Sequence, residues 1–211
     1  MTSIPDPDVE QDSVDELCDL FRAEAERERE KTPDVGIVMG SDSDLPTMRG
    51  AYEALTDLGF AEVTDYDDPP AERFTFETFV VSAHRTPDLM YAYAETAEAR
   101  GLDVIIAGAG GKSADLPNMT ASIAYPVPVI GVPVQEKSVD SVIGMPTGAP
   151  LTTVDAGKSY NAALSAAQVL ARQYDDLRDR LVALHEDQRD GVGDVSRRLH
   201  ERGTPGFEES G

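Results

Sequence analysis

Residues 35–44, with the sequence VGIVMGSDSD, carry the pattern that decides the fold. The first five are apolar or glycine, which is typical of a strand buried on both faces of a sheet. The polar turn that follows leads into a one-sided apolar pattern over 45–59, with Tyr52 on the apolar face, which predicts an amphipathic helix ending at Gly59. Strands and helices that alternate in this way form parallel sheets with helices on both faces, so the sequence predicts an α/β fold.

The same alternation of strand and helix continues along the chain. Apolar runs at 76–81, 104–107 and 127–132 predict three further strands of the parallel sheet. Thr86 is expected to cap the helix that follows the second strand. A helix predicted over 160–170 is small and apolar on all sides, which is more apolar surface than one domain of this size buries. Neighbouring subunits are therefore expected to cover part of it.

Length and charge narrow the class of protein. The chain has 211 residues, a mass of 22.7 kDa, 40 acidic and 18 basic side chains, and a net charge of −22. This negative field disfavours binding to nucleic acid or to an anionic membrane surface. No apolar run reaches the roughly 18–20 residues of a membrane span, and no secretory signal pattern opens the chain. The sequence predicts a cytoplasmic protein with no nucleic-acid or membrane partner.

The basic residues are themselves unevenly chosen, with four lysines against 14 arginines. A hydrated acidic surface with few lysines is what a cytoplasm rich in salt would select, because high salt screens the repulsion between carboxylates. The composition therefore predicts a halophilic protein. The alternative is an acidic protein from a low-salt cytoplasm that carries charged tails.

Composition also divides the chain into three parts. Residues 1–33 are predicted to form an acidic helical extension, and 34–172 to form the main domain. Within that domain, 60–75 is longer than a normal connection and rich in aspartate, which predicts an exposed acidic insertion. Residues 173–211 are predicted to form a C-terminal helical extension whose end, from 202 onward, is frayed.

The N-terminal extension contains one clear helix signal. Ser13 and Glu16 have the spacing of a capping box, which predicts that a helix begins directly after Ser13. Its continuation over 24–31 is polar on all sides and is expected to be solvated.

Polar or glycine-rich loops follow the first three predicted strands, at 39–44, 82–87 and 108–113. The carboxyl ends of parallel strands meet at one edge of a sheet, where ligands bind. Free backbone N–H groups at a helix start suit a phosphate, and the guanidinium of Arg85 can grip phosphate oxygens. The carboxylate of Asp44 can accept hydrogen bonds from sugar hydroxyls. These loops predict a site for a phosphorylated small molecule.

His84 is the one histidine within these loops. Its ordinary pKa of about 6.5 allows an imidazole to give and take a proton near neutral pH. His185 and His200 lie in the polar C-terminal region and are expected to be solvated. Cys18 is far from the loops in the sequence, and no cluster has the spacing of metal ligands. The residues thus predict one proton shuttle, without a metal or another cofactor.

Four ordered motifs resemble the PurE family, the N5-carboxyaminoimidazole ribonucleotide mutases of purine biosynthesis. They are GSDSD at 40–44, SAHRTP at 82–87, IIAGAGG at 105–111 and PVIGVPV at 128–134. The resemblance extends over roughly 34–170. It implies a flavodoxin-like three-layer α/β/α domain, a homo-octamer, and active sites built from more than one subunit.

The resemblance also implies roles for individual residues. His84 matches the catalytic histidine, which first protonates N5 of the substrate as CO2 leaves and then removes the proton from C4 as CO2 is recaptured. The residues implied in binding the nucleotide are Ser41 and Asp44 in the first loop, Ser82 and Arg85 in the second, and Ala109 and Gly110 in the third.

The third loop departs from the family pattern. In bacterial mutases the sequence of this loop resembles Gly-Gly-Ala-Ala-His-Leu-Pro-Gly-Met. This chain has one extra residue there, and Asp115 in place of the histidine. The segment 135–144 also looks shorter than in bacterial members. Two alternatives to the mutase therefore stay open. One is a CO2-dependent aminoimidazole ribonucleotide carboxylase on the same fold, and the other is a non-catalytic nucleotide-binding module.

Overall fold

A computed structural model describes residues 13–27 and 32–208 of the chain. Its centre is a parallel sheet of six strands in the order β2-β3-β1-β4-β5-β6. The strands are β1 (Val35–Met39), β2 (Ala61–Glu62), β3 (Thr75–Val80), β4 (Val104–Ala109), β5 (Val129–Pro133) and β6 (Thr152–Thr153). The predicted α/β class with a central parallel sheet is confirmed.

Seven helices accompany the sheet in the described residues. They are α1 (Ser13–Glu24), α2 (Leu45–Asp57), α3 (Pro87–Thr96), α4 (Leu116–Ile123), α5 (Val139–Val142), α6 (Ser159–Leu170) and α7 (Asp175–Glu208). Helices α1, α3 and α4 contribute to one hydrophobic core, and α2 contacts β1. No helix within 13–27 or 32–208 is both long and apolar enough to cross a membrane.

The register of the strands brings their carboxyl ends to one edge. Met39 of β1 lies beside Val80 of β3 and Gly108 of β4, and Ala109 of β4 lies beside Pro133 of β5. The loops that follow these strands therefore emerge together. Strand β4 extends two residues past its predicted end at 107, so Gly108 and Ala109 belong to the sheet and not to the loop.

Helix α1 packs on the core, and its last residue corrects the prediction that the stretch 24–31 is solvated. Phe21 is fully buried and makes edge-to-face contacts with Phe79 and Tyr93. Glu24, predicted to be solvated, is 1% exposed and forms an ion pair with Arg27. The helix begins at Ser13, one residue before the predicted start. The rest of the predicted polar stretch, 28–31, lies outside the described residues.

The segment 60–75 was predicted to be an exposed insertion, and this is wrong for its ends. Ala61 and Glu62 form the edge strand β2. The three apolar residues buried in or beside this segment are Phe60, Val63 and Phe74. Residues 64–73 do form an exposed or half-buried connection rich in aspartate, because these polar side chains gain nothing from burial.

The chain divides into two compact units, 1–166 and 167–211. The second contains α7, which is helical to Glu208 apart from Gly203, where φ is 70°. Within the end predicted to be frayed, 202–208 are helical apart from Gly203, and 209–211 lie outside the described residues. Gly203 takes the left-handed conformation that glycine adopts without steric cost, which interrupts the helix there.

Candidate active site

A cavity of about 280 Å³ lies where the loops after β1, β3, β4 and β5 meet. All three predicted loops contribute to it, so the residues that sequence analysis grouped are close in space. The predicted site residues that line it are Ser41, Asp44, Ser82, His84, Ala109 and Gly110.

The first loop forms a short 3₁₀ turn over Asp42–Asp44. Ser41 precedes this turn, and its hydroxyl oxygen accepts a hydrogen bond from the backbone N–H of Ser43 at 3.4 Å. Asp44 is only 6% exposed, and burial raises the pKa of its carboxyl group. A Cβ at Gly110 would lie 3.0 Å from one Asp44 carboxylate oxygen, so glycine allows the third loop to approach Asp44 closely.

The second loop is held to the first by Arg85. The Nη2 of Arg85 donates a hydrogen bond to the carbonyl oxygen of Gly40 at 2.9 Å, and the hydroxyl of Ser82 accepts one from the Arg85 backbone N–H at 3.2 Å. Arg85 is exposed and does not itself line the cavity. The guanidinium has five N–H donors, so the bond to Gly40 leaves others for an anionic ligand.

Thr86 occupies the predicted cap position of α3, but its side chain does not cap the helix. Its hydroxyl oxygen accepts a hydrogen bond from the backbone N–H of Ser82 at 3.0 Å. The prediction of a side-chain cap was therefore wrong, because the tight turn at 82–86 offers a closer donor than the helix does.

His84 is the histidine of the cavity, as predicted from its place among the loops. Its Nε2 lies 2.9 Å from Oδ2 of Asp115, and the two side chains are 59% and 43% exposed. The other carboxylate oxygen of Asp115 accepts a hydrogen bond from the hydroxyl of Ser141 at 3.3 Å. His185 and His200 are exposed in the second unit.

Sequence analysis did not assign to the site five polar residues that line the cavity: Ser43, Ser113, Asp115, Gln135 and Lys137. A signal for the last two was available, because they follow the carboxyl end of the fourth predicted strand, as the other loops follow theirs. Lys137 brings a cationic group to a cavity that also contains Asp44 and Asp115. No group of three potential metal ligands occurs in the described part of the chain.

Comparison with known proteins gives the family. The model of the AIR carboxylase family matches residues 34–191. The chain belongs to this family. The match begins at residue 34, where sequence analysis placed the start of the main domain. It ends at residue 191, beyond the predicted end of that domain at 172.

Members of the AIR carboxylase family with curated names cover most of the chain. An N5-carboxyaminoimidazole ribonucleotide mutase from Pyrococcus horikoshii is 39% identical over 181 residues, which are 83% of this chain and 93% of the relative. One of the same name from Mycobacterium tuberculosis is 46% identical over 166 residues, with 76% and 86% covered. The chloroplastic phosphoribosylaminoimidazole carboxylase of Vigna aconitifolia is 42% identical over 164 residues, which are 75% of this chain and 27% of that protein.

A solved structure supports the fold of this AIR carboxylase family member. The crystal structure of Treponema denticola PurE aligns with a TM-score of 0.63 and 23% sequence identity, covering 79% of this chain and 98% of that one. The predicted flavodoxin-like arrangement of a parallel sheet between helices is thereby confirmed.

Proposed function

We propose that the protein is an N5-carboxyaminoimidazole ribonucleotide mutase of purine biosynthesis, an isomerase. The observation that carries this function is that His84 lies in the cavity formed by the loops of four adjacent strands. Relatives with this name are 39–46% identical to the chain and are matched over most of their length. A single imidazole among nucleotide-binding loops suits a reaction that moves one proton on and one proton off the substrate.

In the proposed reaction, each bond that forms is matched by one that breaks, and His84 transfers both protons. The bond between N5 and the carboxylate carbon breaks, CO2 leaves, and protonated His84 supplies the proton that N5 needs. C4 of the electron-rich ring then attacks the retained CO2, and neutral His84 removes the proton from C4. Acid and base are the same group, so the cycle returns His84 to its starting state.

The loops divide the remaining tasks among the predicted residues. Ser41, Asp44 and Arg85 are proposed to hold the ribose phosphate, because they combine hydroxyl, carboxylate and guanidinium groups next to the 3₁₀ turn. Ser82 is proposed to assist through its hydroxyl group. Ala109 and Gly110 are proposed to cover the ring, where their small size admits a flat ligand and excludes water from the CO2.

The carboxylase is the second candidate, and two observations favour keeping it. A relative named phosphoribosylaminoimidazole carboxylase is 42% identical over the aligned region. The third loop of this chain also has Asp115 at the position where the bacterial mutase pattern has a histidine. The two reactions use the same ring and differ in whether the carboxyl group arrives on N5 or as free CO2.

Substrate dependence separates these functions. The full chain is supplied either with N5-carboxyaminoimidazole ribonucleotide or with aminoimidazole ribonucleotide and bicarbonate, and formation of the C4-carboxylated product is followed. Rapid conversion of the first alone supports the mutase. Conversion of the second at a comparable rate supports the carboxylase. Binding of the product nucleotide without either conversion would support the non-catalytic alternative.

Assembly and setting are part of the same proposal. We propose a homo-octamer in a cytoplasm rich in salt. Assembly is supported by apolar side chains that the single chain leaves exposed, and the salt-rich setting by the net charge of −22. Leu45 and Tyr52 are 45% and 43% exposed and border an apolar cavity of about 330 Å³ that also contacts Ile37 and Met39 of the sheet. Sequence analysis placed Tyr52 on the apolar face of this helix, and the single chain leaves this residue partly exposed. Light scattering of the octamer should give eight times the chain mass of 22.7 kDa.

A further inference from the structure

The geometry points to Asp115 as a positioning residue for His84: its carboxylate holds hydrogen on Nε2, so that Nδ1 is the nitrogen that carries the proton to and from the substrate. This inference deepens the proposed function and rests on it.

The first observation concerns the hydrogen bonds of the Asp115 carboxylate. Asp115 occupies the cap position before α4, where aspartate ordinarily accepts a hydrogen bond from a backbone N–H of the first turn. Here it makes no such bond. Its two carboxylate oxygens instead face His84 and Ser141. The carboxylate is therefore directed into the cavity and away from the local role that its position offers.

The second observation is the contact that orients Ser141. The backbone N–H of Ala114 donates a hydrogen bond to the Ser141 hydroxyl oxygen at 3.1 Å. With that oxygen already accepting a hydrogen, the hydroxyl hydrogen is free to point to Oδ1 of Asp115, 3.3 Å away. Ser141 thereby fixes one side of the carboxylate, and Oδ2 is left to face the imidazole.

The arrangement determines where the hydrogen of His84 lies. A carboxylate anion accepts hydrogen bonds and has none to donate. The nitrogen 2.9 Å from Oδ2 must therefore carry the hydrogen, which makes neutral His84 the Nε2–H tautomer with its lone pair on Nδ1.

The consequence for the reaction follows directly. Nδ1 gains a proton to form the acid that protonates N5, and Nδ1 removes the proton from C4 in the second half of the cycle. Nε2 keeps its hydrogen throughout, bonded to Asp115. The ring is thus held in one tautomer and one orientation during both transfers.

The tautomer can be measured directly in the full-length protein. The chain contains three histidines, so nitrogen NMR of protein labelled with ¹⁵N-histidine gives few signals, and loss of one pair in His84→Asn assigns His84. Wild-type His84 should show the Nε2–H tautomer at a pH where it is neutral. Asp115→Asn should shift the signals toward a mixture, because an amide can present either a donor or an acceptor. Asp115→Glu, which keeps the anion, should retain more of the Nε2–H form than the amide does.

Kinetics supply the second readout. Asp115→Asn should lower kcat by about ten- to a hundredfold, a part of what acid–base catalysis contributes, and change KM by less than about threefold. Asp115→Glu should recover part of the lost kcat. Asp88→Asn is the matched control, because Asp88 is an exposed carboxylate of α3 close in sequence to His84, and it should leave both constants unchanged.

The outcomes separate this inference from the proposed function. Wild-type kcat together with an unchanged tautomer in Asp115→Asn would overturn the positioning role while leaving the mutase in place. An Nδ1–H tautomer in the wild-type protein would overturn it even if Asp115→Asn failed to fold. If the wild-type protein converts neither nucleotide, the proposed function fails, and the tautomer of His84 with and without the Asp115 carboxylate still decides this inference.

Discussion

Two pairs of polar side chains in this molecule have nearly the same separation and opposite surroundings. His84 lies 2.9 Å from Asp115 at the mouth of the cavity, with 59% and 43% of the two side chains exposed. Arg100 lies 2.8 Å from Glu77 with neither side chain exposed at all. Distance therefore does not distinguish the two pairs, whereas access to water and substrate does.

The buried pair is enclosed by aromatic rings and a second polar contact. The guanidinium of Arg100 lies 4.8 Å from the ring centre of Phe21 and 4.6 Å from that of Tyr93, and the hydroxyl of Tyr66 donates a hydrogen bond to Glu77. Although burial opposes the charged form of Arg100, the Glu77 carboxylate raises the pKa of that guanidinium. Arg100 therefore stays protonated, as a structural ion pair requires. In the proposed mechanism, the exposed imidazole of His84 exchanges its proton with the substrate.

Two contacts of similar length therefore have different consequences in the buried and in the exposed setting. The buried pair joins α1, β3 and the chain segment following α3, and a change of charge there leaves a partner unpaired in a dry environment. The exposed pair can lose and regain a proton with water at hand. Mutation of the first should therefore appear in stability, and mutation of the second in turnover.

Removal of the cavity imidazole should have the largest effect. His84→Asn is expected to keep the fold and most of the affinity for nucleotide, but to lose about 10²–10⁴-fold in kcat, because no other residue replaces the proton shuttle. Steady-state kinetics with N5-carboxyaminoimidazole ribonucleotide measures this. His185→Asn and His200→Asn, both in exposed positions, are the controls and should be silent. Turnover near the wild-type rate in His84→Asn would contradict the mechanism.

Breaking the buried pair comes next in size. Glu77→Gln should lower the free energy of unfolding by about 3–5 kcal/mol, since it leaves Arg100 charged and buried without its anion. Urea denaturation followed by circular dichroism measures the change. The control is Asp194→Asn, which breaks an exposed pair with Arg197 and should leave the midpoint unchanged. If both variants unfold at the wild-type midpoint, burial does not distinguish the two kinds of pair.

The cationic side of the site should show an intermediate effect on binding. Arg85→Ala should weaken binding of the product nucleotide by about ten- to a hundredfold, because hydrogen bonds between guanidinium and phosphate are charge-assisted. Ser41→Ala and Asp44→Ala should weaken it less. Calorimetric titration measures all three, with Arg22→Ala as a control that removes an exposed arginine outside the cavity. Unchanged isotherms in the three site variants would remove these residues from the nucleotide site.

Salt should alter the exposed charges and spare the buried pair. The Debye length falls from about 10 Å at 0.1 M salt to about 3 Å at 1 M, so the repulsion within a chain of net charge −22 is screened. The melting temperature and the assembled fraction should both rise between 0.1 M and 2 M KCl, with a slight rise in KM from screening of Arg85. A low-salt sample that is as stable and as fully assembled would argue against a halophilic adaptation.

The smallest effect expected concerns Glu24, the carboxylate of α1 near the buried pair. Burial raises its pKa despite the neighbouring Arg27. A carboxyl group whose pKa is raised on folding favours the folded state when it is protonated, so its contribution to stability falls as pH rises through that pKa. The melting temperature of Glu24→Gln should therefore rise slightly relative to that of the wild type as pH increases from about 5 to 7. Thermal melts across this range measure it, and a parallel pair of curves would contradict the shift.

Local pattern was sufficient to predict four of the six strands, most helices and the grouping of three loops at one sheet edge. The reason is that burial on both faces of a parallel strand requires an apolar run, and polar loop residues must follow where such a strand ends. His84, Ser41, Asp44 and Ser82 could be placed at the cavity on this basis, since each lies within a few residues of a strand end.

The pairings between distant residues were decided by tertiary structure. Asp115 meets His84 across 31 positions, and Arg100 meets Glu77 across 23, and no local period in the sequence records either contact. The burial of Glu24 and the edge strand β2 likewise depend on which surface α1 and 60–75 find once the sheet has formed. The sequence by itself determined an α/β chain with one histidine among the loops at the edge of its sheet. The tertiary structure decided which carboxylate faces that histidine, because such contacts depend on packing between elements and not on periodicity within them.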